Sequence, residues 1–141
     1  MYADQTNKEI EMTVQVHAAE TMEQGIQNLI DGSIADYIQW ERTSIGYQIT
    51  HHGRDGNWPK IMEDKITKFS EGFVAKKGKK YIKVIQGNEV HAFVVNTEDD
   101  PKFAFGDVLK PSGWSTPARN AARGNVFSSY PIQWTGPLYL N

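Results

Sequence analysis

The sequence predicts an α+β fold in which N-terminal helices pack on a small, mostly antiparallel sheet or partly open barrel formed by the C-terminal half. Before residue 72, apolar residues recur mainly at helical spacing, whereas the later pattern is that of short strands. Glycine-containing turns separate those strands. The length of 141 residues predicts a single domain over 1–141.

The N-terminal part is predicted to be helical after a polar start. Residues 1–17 alternate only weakly between polar and apolar, which predicts a tail or an edge strand. Apolar side chains then fall on one face of a helix over residues 17–31, and Gly32 is a natural stop. Residues 33–41 are predicted to form a second, short helix.

The middle of the chain is predicted to contain a strand, a turn and a helix. Residues 45–49 alternate with the period of a half-buried strand, and residues 51–57 have the composition of a turn. Apolar side chains repeat at helical spacing over residues 59–71, so this segment is predicted to be a helix, with Gly72 as its end.

The second half is predicted to be mainly β. The predicted strands are 80–85, 89–95, 108–110, 126–127 and 132–134. Gly87 and Asn88 suit a tight hairpin turn between the first two. Ser115 or Thr116 is predicted to cap a turn or two of helix that Gly124 closes.

Charge is distributed unevenly along the chain, although the net charge is only −2. Residues 1–46 hold eight acids and two bases, whereas residues 47–141 hold thirteen bases and nine acids. Such asymmetry is typical of chains with a polyanion-binding region. It is equally expected where an acidic half packs against a basic half.

The candidate site residues are basic or aromatic. They lie in residues 76–83 and 114–123 of the second half, with one further lysine between these two stretches. They are Lys76, Lys77, Lys79, Lys80 and Lys83, then Lys110, then Trp114, Arg119 and Arg123. Clustered lysines repel one another, so they must be solvated or paired with an anion such as nucleic-acid phosphate. Arginines can take phosphate as a bidentate partner, and Trp114 can stack on a base.

Each of these candidates also has a purely structural interpretation. Lysines in a solvated turn before an edge strand discourage sheet aggregation. Arg119 and Arg123, four residues apart on the predicted helical turn, would then hold their loop to acids of the N-terminal half, with Trp114 filling the core. The lysine-rich stretch lacks the glycine and Ser/Thr positions of a phosphate-binding P-loop.

No catalytic, metal or cofactor signature is present in the sequence. The chain has no cysteine, and its histidines, His17, His51, His52 and His91, match no metal-ligand spacing. Nucleophile-elbow, zinc-protease and dinucleotide patterns are missing too. We therefore expect no metal and no cofactor, and a binding protein rather than an enzyme.

Several short runs of the second half carry a resemblance to a known family. They are residues 80–83, residues 106–110, Trp114, residues 117–120, residues 122–125 and residues 134–137. Over roughly residues 60–141 the chain resembles a family of small uncharacterised proteins encoded by tailed bacteriophages. The resemblance implies a phage gene acting inside a bacterial cell, and it implies no activity.

Three functions are expected from these observations. The first is nucleic-acid binding, which requires the candidate residues to form one contiguous basic surface. The second is an interaction module that inhibits or redirects a bacterial host protein through a patch containing Tyr37 and Trp40. The third is a pocket that sequesters a small phosphorylated ligand between Arg119 and Arg123. The resemblance implies a bacterial host cell, and because the sequence shows no membrane span or secretory signal, we expect the protein in the cytoplasm of that cell.

Overall fold

Two helices and eight short strands form the described part of the protein, which is residues 13–53 and 56–140 of a computed structural model. The helices are α1 (Met22–His52) and α2 (Trp58–Glu71). The strands are β1 (Val14–Val16), β2 (Phe73–Lys77), β3 (Tyr81–Gln86), β4 (Glu89–Val95), β5 (Asp107–Leu109), β6 (Gly124–Asn125), β7 (Tyr130–Gln133) and β8 (Gly136–Pro137). The predicted α+β class is confirmed.

Helix α1 is one continuous helix of 31 residues, about 46 Å long, so the predicted stop at Gly32 is wrong. Gly32 is buried because its helix face lies against Val16 and Ile132, where an added Cβ would come within 3.1 Å of both side chains. This glycine therefore permits close packing and does not end the helix.

The predicted strand over residues 45–49 is also wrong, because these residues lie inside α1. Ile38, Ile45 and Ile49 are spaced by seven and four residues, which places them on one helical face. That face packs on α2, and Ile45 lies near Met62 of that helix. The period-two alternation of Ile45, Tyr47 and Ile49 is therefore compatible with a helix and did not indicate a strand.

Helix α2 confirms the helix predicted over residues 59–71, with Pro59 in its first turn and Gly72 as its C-cap. It packs antiparallel to the second half of α1 as a helical hairpin. The predicted turn over residues 51–57 is partly helical, and residues 54 and 55 lie outside the described range.

The strands form two antiparallel sheets. One has the order β2-β3-β4-β5-β6 and the other β1-β7-β8. The two sheets do not close into a barrel, so of the two predicted architectures the antiparallel sheet is the one that forms. Strand β1 is an edge strand, as predicted for part of residues 1–17, while residues 1–12 lie outside the described range.

The central strands β3, β4 and β5 of the five-stranded sheet are covered on both faces, whereas most of the edge strand β2 is exposed. The inner face of the sheet, with Val84, Val94 and Val108, packs on Leu29 of α1 and Ile132 of β7. Its outer face carries a second apolar cluster of Phe93, Val95, Phe103 and Leu109, covered by the loops around residues 96–106 and 110–123. Burial on both faces explains the continuous apolar run at the end of β4.

Predictions for the remaining strands are confirmed in part. The predicted hairpin of strands 80–85 and 89–95 forms as β3 and β4, within one residue of the predicted bounds. Its turn is at Gly87 and Asn88 as predicted, and Gly87 has the positive φ of 61° that this turn needs. The predicted strands 108–110 and 132–134 shift by one or two residues, and the one predicted at 126–127 lies at Gly124–Asn125. Strand β2 was not predicted, because Phe73 continues the helical spacing of α2.

The helical turn predicted from Ser115 or Thr116 to Gly124 does not form. The segment is an extended loop that lies along β5, to which Ala118 N and Arg123 N donate hydrogen bonds at Lys110 O and Val108 O. Pro111 and Pro117 form an isolated β-bridge. These backbone bonds to β5 replace those that a helix would have made internally.

Candidate functional site

The β2–β3 hairpin presents two lysines side by side on the outer face of the sheet. Lys76 and Lys83 are directly opposite in the strand register. Like charges at that position repel, and neither lysine has an ion-pair partner among the described residues. The pair therefore leaves an unneutralised positive site on the sheet.

Three further lysines surround this pair at the end of the hairpin. Lys77 closes β2, while Lys79 and Lys80 lie in the turn, and all three are exposed. Asn96, at the start of the loop after β4, contacts this turn, because its Nδ2 donates to Gly78 O at 2.8 Å. The positive surface thus extends from the turn towards the outer face of the sheet.

Trp114 projects from the tip of the loop that follows β5. Ser112 N and Gly113 N both donate to Thr116 O, which makes this tip a tight turn. The Lys83 ammonium lies 4.7 Å from the centroid of the Trp114 ring, within cation–π distance, and 52% of Trp114 is exposed. The Trp114 side chain therefore does not fill the core, and that structural interpretation is wrong. We call Lys76, Lys83 and Trp114 the lysine–tryptophan face.

Arg119 lies on the same outer face but is engaged with protein groups. Its guanidinium donates to both carboxylate oxygens of Asp100, at 2.9 and 3.0 Å, and to the hydroxyl of Tyr81. Hydrogen bonding to Asp100 is the main reason that the pKa of Arg119 is raised. The partner carboxylate comes from the acidic loop after β4, so the expectation of a partner in the N-terminal half is wrong.

Arg123 and Lys110 hold the C-terminal segment. Arg123 Nη1 donates to Leu138 O at 2.7 Å, and Lys110 Nζ donates to Pro137 O and lies 4.0 Å from the ring centroid of Tyr139. Burial and the nearby charge of Arg123 lower the pKa of Lys110. Arg119 and Arg123 thus point to different partners and do not share a helical face.

Two residues of this region were not among the sequence candidates. Tyr81 supports Arg119, and Lys102 Nζ donates to the carbonyl oxygens of Arg119 and Asn120. The side of the sheet on which Tyr81 lies could have been predicted from the sequence, because Tyr81 is two residues before Lys83 and side chains alternate along a strand. Lys102 is brought in by the path of a loop, for which the sequence has no local signal.

The patch proposed for protein interaction is only partly exposed. Trp40 of α1 is 56% exposed, whereas Tyr37 stacks on Phe69 of α2 with ring centroids 4.2 Å apart. Burial and the neighbouring Glu41 raise the pKa of Tyr37 to about 12. Trp40, and not Tyr37, is the aromatic group that this region offers to a ligand.

His17, His51 and His91 do not converge. His91 is buried beneath the five-stranded sheet's inner face, where its Nε2 and Ser33 Oγ are 2.8 Å apart. His17 and His51 are exposed on other elements. Within the described ranges, no group of three or more His, Asp or Glu side chains is arranged to hold a metal ion. Neither helix in these ranges is apolar enough along its length to cross a membrane.

Comparison of the chain with protein-family models, with curated proteins and with solved structures finds no match. The resemblance to bacteriophage proteins, and with it the location in a bacterial host cell, therefore stays a prediction.

Proposed function

We propose that the protein binds single-stranded nucleic acid on the lysine–tryptophan face. The observation that supports this best is the pair Lys76 and Lys83, which face each other beside a half-exposed indole and have no acidic partner among the residues that the structure describes. A phosphate between the two ammonium groups removes their mutual repulsion and releases counterions.

The exposed indole favours a single strand over a duplex. Bases of a single strand are free to stack on an aromatic side chain, and such stacking contributes about 1–3 kcal/mol per base. Because the Lys83 ammonium lies only 4.7 Å from the Trp114 ring centroid, a base that stacks on the exposed part of the indole would have its own phosphate near the lysine pair.

The remaining sequence candidates have supporting roles in this proposal. Arg119 fixes the loop that carries Trp114 by its ion pair with Asp100, and Arg123 and Lys110 fix the C-terminal segment. Lys77, Lys79 and Lys80 add positive charge at the hairpin end. We therefore expect direct phosphate contact from Lys76 and Lys83, with a long-range contribution from the turn lysines.

Binding of labelled single-stranded DNA and RNA oligonucleotides tests the proposal. The Lys76→Gln/Lys83→Gln variant is expected to lose most affinity at low salt, and Trp114→Ala to lose about tenfold. The matched control is Lys65→Gln/Lys68→Gln, which removes the same charge from exposed positions of α2. Equal losses in both lysine variants would show a non-specific charge effect and would contradict the proposed site.

A further inference from the structure

A second surface of the molecule is an open groove of about 790 Å³ between α1 and the β7–β8 turn. It lies within the size range of small-molecule sites. Trp40 and Trp134 form its aromatic surface, and Gln39, Thr43, Gln133 and Asp36 are among the polar residues around them. None of the candidate residues of the lysine–tryptophan face lines it.

The aromatic surface of this groove is held in place from behind. The Trp134 ring contacts Tyr37 and Phe69 edge-on, with ring centroids 5.3 and 6.1 Å away. Trp134 N donates to Asp36 Oδ2 at 2.8 Å, which fixes the turn to α1. Trp40 rests against Trp134 at 6.0 Å and remains more than half exposed. A rigid platform of this kind reduces the ordering cost of binding.

We propose that this groove binds a neutral saccharide. The apolar C–H face of a sugar ring packs on an indole, while its hydroxyls need groups that both donate and accept hydrogen bonds. The amides of Gln39 and Gln133 and the hydroxyl of Thr43 have both capacities. The described lining residues thus supply the two kinds of contact that a saccharide requires.

Other ligand classes fit the groove less well. No lysine, arginine or histidine is among the described lining residues, and Asp36 is acidic, so a polyanion is disfavoured. The two indoles contact each other, so no space for a cation remains between them. An apolar peptide would bury the amide and hydroxyl groups without partners, which costs free energy.

Titration of the full chain with maltotetraose, cellotetraose and chitotetraose, up to about 10 mM and followed by calorimetry and tryptophan fluorescence, tests this inference. Saturable binding to at least one of them is expected. Trp40→Ala and, separately, Gln133→Ala should weaken it about tenfold. The matched control is Tyr47→Ala, which removes an exposed aromatic ring two turns further along α1, outside the groove.

Failure of all three saccharides to bind would overturn the inference, as would binding that Trp40→Ala leaves unchanged. Binding of the apolar dye 8-anilinonaphthalene sulfonate, lost in Trp40→Ala while no saccharide binds, would instead indicate a protein-docking surface. The outcome is independent of nucleic-acid binding: the Lys76→Gln/Lys83→Gln variant should bind saccharide as the wild type does, and Trp40→Ala should bind oligonucleotides normally.

Discussion

Arg119 and Asp100 form a bidentate ion pair that joins the loop after β4 to the loop after β5 across the outer face of the five-stranded sheet. The Asp100 side chain is only 8% exposed, and it also accepts hydrogen bonds from Lys102 N and Phe103 N. One carboxylate thus organises its own loop and fixes the next one. Trp114 belongs to that second loop, so its position depends on this pair.

Removal of the arginine is expected to change the response of stability to acid. Hydrogen bonding from Arg119, followed by bonds from the backbone N–H groups of Phe103 and Lys102, lowers the pKa of Asp100. A carboxyl whose pKa is lowered by folding stabilises the protein above its ordinary pKa near 4, and this contribution is lost as the pH falls through the lower folded value.

Arg119→Ala should therefore lower the urea midpoint at pH 7 and flatten its fall below about pH 4. Urea denaturation across that range measures both effects. Asp100→Asn is the control, because it removes the titrating group itself and should flatten the same part of the curve. Parallel curves for wild type and both variants would contradict the assigned role of the pair.

His91 is expected to govern a second and separate pH range. Burial, reinforced by the charge of Lys110, lowers the pKa of His91 to about 4, and only 4% of the residue is exposed. Because the Ser33 hydroxyl donates to Leu29 O, it accepts from His91, so Nε2 carries the proton of the neutral ring. Protonation of the second nitrogen would place a charge in the core.

The folded protein therefore binds fewer protons than the unfolded chain between about pH 6.5 and 4, and stability should fall by about 3 kcal/mol as the pH drops through that range. His91→Gln should remove most of this slope, although it also lowers stability at pH 7. His17→Gln, an exposed control, should leave the slope unchanged. A slope that persists in His91→Gln would assign the effect to another group.

Two glycines of α1 should respond in opposite directions to alanine. A Cβ at Gly25 would lie 2.6 Å from Val126 Cβ, whereas a Cβ at Gly46 meets nothing within 4 Å. Gly25→Ala should cost about 1–3 kcal/mol through overpacking. Gly46→Ala should stabilise by about 0.5–1 kcal/mol through helix propensity. Urea midpoints at pH 7 measure both, and stabilisation by Gly25→Ala would contradict the packing of α1 on the sheet.

Much of the fold could be predicted because its signals are local. The spacing in α2, the Gly87–Asn88 turn and the apolar run of β4 each identify an element within a few residues. The full length of helix α1 was not predicted, because Gly32 can either end a helix or lie within one, and residues 45–49 fit either a strand or a helix. Contacts with Val16, Ile132 and α2 decide between these alternatives, and those contacts are long-range.

The candidate site was predictable in composition but not in pairing. The five lysines that are close in sequence lie on the β2–β3 hairpin, and the strand register places Lys76 opposite Lys83. The partner of Arg119 lies 19 residues away on another loop, and no local pattern indicates it. Trp40 and Trp134 are far apart in the sequence and meet only in the fold, so the groove between them has no sequence signature.

The salt dependence of oligonucleotide binding tests the central proposal most directly. Each phosphate contact on a single strand contributes about 0.7 to the slope of log affinity against log salt concentration. Because one phosphate lies between the two ammonium groups, Lys76→Gln/Lys83→Gln should reduce the wild-type slope by about 0.7, while Lys65→Gln/Lys68→Gln leaves it unchanged. An identical slope in all three proteins, or no binding by the wild type at low salt, would contradict nucleic-acid binding at the lysine–tryptophan face.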